Sequence, residues 1–373
     1  MGSIAQMMSE SRFMCVDDYT GEGKVPELSE PIIDGILRRG HIMMLTGPPK
    51  AGKSWAMANL AYAVAKGITW LGFQCNQGSV VYVDTELDRN SLFNRFEKVR
   101  FALGLESSDR NIMVLSLRGE SIDSKTLVEE IKNAFPDEAP ALVVIDSIYS
   151  IESGDENNAG DMRDMMRDLG TLAGGGSAVV FAHHHAKGNA GDRNVIDRGS
   201  GSGVFGRYVD AMLDLMPLEL SEDAEIAFMQ QFPFNDRAVP MRLNFVLREF
   251  ADPGAREVAF DFPLIVPIDG LEDSPEKGTK EAGRILGTRR TRQKYDEARK
   301  RKDDAVQVAY DQCVCEGVRP TPSNVFDRLK AEFFDENKKP SWTTFRNWLT
   351  PTNNSAWCHD EGGNIRRASR QTS

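Results

Sequence analysis

The sequence predicts an α/β fold: a mostly parallel sheet covered by helices on both faces, with antiparallel edge strands and a small, mainly helical C-terminal domain. Three observations predict it. Five short apolar runs, at 42–45, 79–83, 112–115, 141–145 and 178–182, alternate with segments of helical composition, the signature of parallel strands joined by crossover helices. A glycine-rich loop at 47–54 follows the first run and leads directly into an alanine-rich helical stretch. Four later segments, 212–216, 225–232, 241–250 and 257–262, read as hairpin-like strands that extend one edge of the sheet.

Each element has its own signal. His41-Ile42-Met43-Met44-Leu45-Thr46 is apolar throughout, as a strand buried on both faces must be. Residues 55–66 are rich in alanine and end at Gly67, a residue suited to the left-handed position that closes a helix. Segments 91–103 and 127–135 have helical composition. In 161–172, Met162, Met165, Met166, Leu169 and Leu172 fall on one helical face and read as core packing. Residues 1–30 are polar and irregular and read as a flexible arm.

The loop between the first strand and helix carries the strongest chemistry. Gly47-Pro48-Pro49-Lys50-Ala51-Gly52-Lys53-Ser54 fits G-x-x-x-x-G-K-[ST] at every position, and Trp55 opens the helix behind it. Glycines let the backbone wrap a phosphate chain so that loop amides and the helix N-terminus face the anion. Lys53 is placed to reach the β- and γ-phosphates, and the Ser54 hydroxyl to ligate Mg²⁺. The pattern implies a nucleoside triphosphate with Mg²⁺, which the resemblance described below specifies as ATP.

Three further strand tips belong with it. Asp146 ends the apolar run 141–145, where such a site needs a Mg²⁺ ligand. Asp84 and Glu86 follow the run 79–83; Glu86 is assigned as the base that orients the attacking water, with Asp84 or Asp88 as substitutes. His183-His184-His185 ends the run 178–182. Adjacent strand residues point to opposite faces, so the three do not converge on a metal; one histidine, His184, reads as a γ-phosphate sensor. Two polar, glycine-rich loops, 153–160 and 188–203, follow at the carboxyl ends of strands, where such sheets bind ligands.

The chain has 373 residues and a net charge of −11, which excludes a uniformly basic nucleic-acid coat. Its charge is nevertheless uneven: residues 277–373 carry 20 Lys and Arg against 13 Asp and Glu. The five cysteines form no C-x-x-C pair and read as reduced thiols, and no run is long and apolar enough for a bilayer, so the expected setting is the cytoplasm with no membrane partner.

After 31–267, which holds the alternating pattern, residues 268–303 read as a basic linker or helix, either solvated or in contact with phosphates. Segments 305–315, 323–334 and 340–349 then read as three short helices. The last bears Thr343, Thr344, Arg346 and Asn347 beside aromatics, which suggests a helix-turn-helix or winged-helix module over 304–373, or else a helical docking domain.

Taken together, these residues resemble the RecA-type ATPases, specifically the RepA-like branch of hexameric replicative helicases of plasmids and phages. The resemblance covers about residues 30–265. Gly47 to Ser54 resembles the family's phosphate loop, Tyr82-Val83-Asp84-Thr85-Glu86 its strand with the catalytic glutamate, and Val144-Ile145-Asp146 its Mg²⁺ aspartate. His183-His184 followed by Lys187 is similar to its double-histidine sensor strand. Asp155-Glu156-Asn157 and Arg198-Gly199-Ser200-Gly201 resemble the two loops that touch single-stranded DNA in the central channel. The resemblance implies a homo-oligomer, a hexamer, with each site completed by a neighbour's arginine. Arg237 falls nearest that position, with Arg242 and Arg207 as rivals, although Asn235 stands where relatives have a lysine. It further implies single-stranded DNA gripped through Lys187, Arg193 and Arg198, an ATP-driven helicase activity, and replication initiator or primase partners. A nucleotide-switched DNA-binding or loader ATPase that separates no strands is the alternative.

Overall fold

The computed structural model describes residues 15–21, 25–106, 111–152, 159–185, 190–199, 205–334, 338–349, 356–359 and 362–367. The chain forms two compact units, Met1–Gly283 and Arg284–Ser373.

The first unit is built on a nine-stranded sheet. Its strands are β1 (Ile42–Gly47), β2 (Val80–Asp84), β3 (Ile112–Ser116), β4 (Leu142–Asp146), β5 (Ala178–His184), β6 (Ala211–Pro217), β7 (Val239–Leu247), β8 (Arg256–Asp261) and β9 (Leu264–Pro267). Their order is β9-β8-β7-β6-β1-β5-β4-β2-β3. The first six strands run parallel, and β7, β8 and β9 extend the β6 edge antiparallel. The expected mixed architecture is therefore the observed one.

Strand period sets the two cores. Met43, Leu45, Val80, Tyr82, Leu142, Val144, Val180 and Leu213 face α1 (Lys53–Lys66) and α2 (Arg89–Ala102). The alternate residues Met44, Val81, Val83, Val143, Ile145, Val179, Phe181 and Met212 face α3 (Ser124–Ala134) and α4 (Ala159–Gly174). The methionine stripe Met162, Met165 and Met166 of α4 lies in that second core. Asp88 and Asp123 cap α2 and α3 by accepting from the amides of Ser91 and Thr126, which fixes where the helices start.

One expected strand is a helix. The pattern over 225–232 predicts an extended segment, but α5 spans Glu222–Gln231. The Ser221 hydroxyl accepts from the Ala224 amide, and Glu222, Asp223 and Glu225 fill the first turn, where negative charge suits the helix dipole. Phe228 is buried while Ile226 is 59% exposed, so the two do not share a strand face.

The basic segment 268–303, expected as a linker or a helix, is helix over its larger part. From Lys280 it is part of α6, Lys280–Cys315, one helix that also takes in the expected helix at 305–315. Its last turns bury Ala305, Val306, Ala309 and Cys313 against α7 (Pro322–Arg328), α8 (Trp342–Trp348) and a hairpin of β10 (Trp357–His359) and β11 (Ile365–Arg367). The expected helix 323–334 is shorter, ending at Arg328 before a single 3-10 turn at Ala331–Phe333. Among the described residues no helix is long and apolar enough to cross a membrane.

Candidate nucleotide site

The register brings the four strand tips together. His184 pairs with Gly47, Asp84 with Asp146, and Thr46 lies between His183 and Asp214. All end at the carboxyl edge of the sheet, above which α1 begins. Gly47 is required by close approach: a Cβ there would lie 2.9 Å from the Leu215 carbonyl oxygen. Gly52, at φ 82°, holds a left-handed turn at the start of α1 that a side chain would strain.

A cavity of about 320 Å³ opens here, lined among others by Lys50, Ala51, Gly52, Lys53, Ser54, Trp55, Glu86, Asp146 and His184. Gly47, Pro48 and Pro49, the first three residues of the loop, are not part of the cavity's lining. The Lys53 Nζ donates to the carbonyls of Gly47 at 2.8 Å and Pro48 at 3.1 Å, and to His184 Nδ1 at 3.0 Å. Burial lowers the Lys53 pKa to about 8 against the pull of Asp146, Glu86 and Asp214. Burial, then the Lys53 charge, also lowers that of His184, which leaves Nδ1 as a neutral acceptor. Tyr149 stacks on His184 at 5.3 Å and its hydroxyl accepts from the His184 amide at 2.8 Å, fixing the tip of β5.

Ser54 Oγ donates to Asp146 Oδ1 at 3.1 Å, so the two expected Mg²⁺ ligands are adjacent. The Tyr82 hydroxyl donates to Asp146 Oδ2 at 2.8 Å, and Arg95 approaches the same oxygen at 3.4 Å. Burial raises the Asp146 pKa to about 6 despite those donors. A hydroxyl and a buried carboxylate are the hard oxygen donors that a magnesium ion takes, and Asp84 Oδ2, buried without a hydrogen-bond partner, adds to the negative field behind them. The residues fit the ion. Glu86 reaches the cavity with its Oε1 held by the Ser147 hydroxyl at 2.8 Å. Asp84 is tied to its own turn, accepting from the amides of Glu86 and Leu87, and Asp88 caps α2.

The remaining expected residues lie elsewhere. Arg198 is 6% exposed, not presented to a DNA strand: it bonds Asp214 at 2.9 Å and Glu276 at 2.6 Å. His185 meets the other Asp214 oxygen at 2.5 Å. Arg198 Nε also donates to the Arg193 carbonyl at 3.1 Å, which closes this part of the second loop on itself. Arg242 is paired to Glu257 at 2.9 Å within the chain, whereas Arg237 is exposed in the turn before β7, and Arg207 is exposed too. Lys187, Asp155, Glu156, Asn157, Ser200 and Gly201 lie outside the described residues.

Sequence reading missed Arg95, which lines the cavity and also lies 5.1 Å over the Trp55 ring. It sits on α2 between Leu92, Phe96 and Val99, the buried stripe, and a charge on such a stripe is the signal that was available. Phe260, brought in by the antiparallel edge, had no such signal.

Residues 9–190 match the family model for the AAA domain. Among solved structures, the ATPase domain of G40P is similar, with 12% identity, a TM-score of 0.42, and coverage of 62% of this chain and 86% of that one.

Proposed function

We propose that the chain is a RecA-type P-loop ATPase, a reading supported by the match of residues 9–190 to the AAA domain model, and that it is an ATP-hydrolysing, oligomeric motor acting on single-stranded DNA. The observation that carries the reading is the convergence of Lys53, Ser54, Asp146, Glu86 and His184 on one cavity. Loop amides and Lys53 bind the phosphates; Lys53 exchanges its carbonyl and His184 partners for phosphate oxygens. Ser54 and Asp146 would hold a magnesium ion, which when bound would neutralise developing charge on the phosphates. Glu86, oriented by Ser147, accepts the proton of the water that attacks the terminal phosphate.

His184 is placed to report the state of that phosphate, because its Nδ1 lies 3.0 Å from the Nζ of Lys53, the residue assigned to hold the phosphate. Strand β5 carries the report to His185 and, through Asp214, to Arg198 in the loop 190–199. Arg198 is thus a positioning residue for a DNA-facing loop, and gripping falls to Lys187, Arg193 and the loop backbone.

Oligomerisation is supported by the turn before β7. There Phe234 is 100% exposed three residues from Arg237, at the carboxyl edge of the sheet. An apolar ring beside a solvent-facing guanidinium suits insertion into a neighbour's site, where Arg237 completes the charge around the phosphates. The role in replication of a plasmid or phage, with initiator or primase partners, belongs to this same reading.

Strand separation tests it. The full chain with ATP is expected to displace a labelled strand from a tailed duplex, and Glu86→Gln to displace none. Hydrolysis by the wild type without any displacement would replace the motor by the nucleotide-switched loader.

A further inference from the structure

The second unit has a layout and a surface that the ATPase does not use. Its helices α6, α7 and α8 are followed by the antiparallel hairpin β10–β11, and all five share one core of Val306, Ala309, Val325, Phe345, Leu349, Trp357 and Ile365. Three helices closed by a hairpin is the winged-helix layout, in which the third helix is presented to solvent along one face.

The face that α8 presents is polar. Phe345 is 0% exposed and Leu349, four residues on, 1%, which turns Thr343 and Asn347 to the opposite side with Arg346 beside them. Thr343, Arg346 and Asn347 are exposed. These side chains match base edges in the major groove: arginine pairs with guanine, asparagine with adenine, and threonine packs on the thymine methyl. Hairpin residues Arg366 and Arg367 are exposed as well, and so are Lys338, ahead of α8, and Arg290, Lys294, Arg299 and Lys300 along α6.

We propose that this unit reads duplex DNA, with α8 entering the major groove through Thr343, Arg346 and Asn347 while Arg366 and Arg367 hold the flanking phosphates. The other partners fit less well. A-form RNA has a major groove too narrow for a helix. A single strand asks for a row of exposed aromatic platforms, but among the α8 rings Phe345 is buried and Trp348 packs on Phe334 at 5.8 Å, which leaves Trp342, 39% exposed and against Phe326 at 5.2 Å, as a lone open ring on this helix. A protein partner asks for an apolar patch, and the outer face of α8 is threonine, asparagine and arginine.

The test uses the full chain without nucleotide, so it is independent of the motor reading. A pool of random-sequence duplexes is selected for binding. The enriched duplex, a scrambled duplex, the single strand and the matching RNA duplex are then titrated over a range of salt. The enriched duplex is expected to bind best. Arg346→Lys, which keeps the charge but loses the planar fork, lowers the enriched-over-scrambled ratio roughly tenfold and leaves the salt slope unchanged. Thr343→Ala lowers that ratio too. Arg366→Ala and Arg367→Ala weaken both duplexes alike and each reduce the salt slope by about 0.9. Basal ATPase and the thermal melt stay at wild-type values in all four variants. Failure to enrich any duplex, equal binding of single strand or RNA, or a sequence preference that survives Arg346→Lys and Thr343→Ala would each overturn the proposal.

Discussion

Lys53 is held by two loop carbonyls and His184, so on the proposed reading its removal takes away a phosphate ligand without opening the core. Lys53→Ala is expected to lower steady-state ATP hydrolysis at least a hundredfold. Glu86→Gln keeps an acceptor for the Ser147 hydroxyl and is expected to retain nucleotide binding with a similarly large loss of turnover; an unchanged rate would move the base to another carboxylate. His183 gives a pH signature. Burial pushes its pKa down to about 4 from 6.5, so between those values the unfolded chain holds a proton that the folded chain does not. Its contribution therefore erodes stability as pH falls from about 6.5 to 4. Asp146 runs the other way: raised to about 6, it is protonated in the folded chain first, and the cost of burying its charge eases as pH falls. In His183→Gln only the second trend remains, so the melting temperature of the variant minus that of the wild type rises on acidification. A flat difference would contradict the buried neutral histidine. At this scale the phosphate loop, Glu86, His184 and Asp146 were legible because each sits at a strand tip marked by an apolar run. Arg95 and Phe260 were not, because one needs the helix face and the other the antiparallel edge to be placed.

Between elements, the network of His185, Asp214, Arg198 and Glu276 joins β5, β6, the loop after β5 and the segment after β9. Asp214 is fully buried, so Arg198→Ala leaves it facing His185 alone and Glu276 without its cation. A loss of about 3–5 kcal/mol in unfolding free energy is expected, read by urea titration. A shift within 0.5 kcal/mol, roughly that of an ordinary surface change, would place Arg198 at the surface, as its loop sequence had suggested. That sequence could not show otherwise, since the partners lie on β6 and beyond β9. Helix α6 offers a second check. Ala282 is buried at its start and Ala305 to Cys313 at its end, but from 290 to 302 only Ala298 is less than exposed. A helix that is polar all round lacks tertiary support, so amides in 290–302 are expected to exchange hydrogen faster than those in 305–313. The charge run marked this stretch as basic, while its lack of a breaking residue between Gly287 and Gly317 is what lets one helix run through.

For the whole molecule, the alternation of apolar runs with helices was enough to read the parallel sheet and its layers. The edge was harder, since α5 carries Ile226 and Phe228 two apart and so imitates a strand until its cap at Ser221 is weighed. Assembly is less legible still, because an interface leaves only hints such as the wholly exposed Phe234. Phe234→Glu is expected to yield a smaller assembly in sedimentation and to lose ATPase activity, with an unchanged melting temperature; full activity in a monomer would remove the shared site. The most direct test of a nucleic-acid motor is the steady-state ATPase rate of the full chain at one fixed salt concentration, alone and with single-stranded DNA, duplex DNA or RNA. Strong stimulation by single-stranded DNA, lost in Glu86→Gln, is the predicted result. A rate indifferent to single strands, or raised by duplex alone, would contradict it.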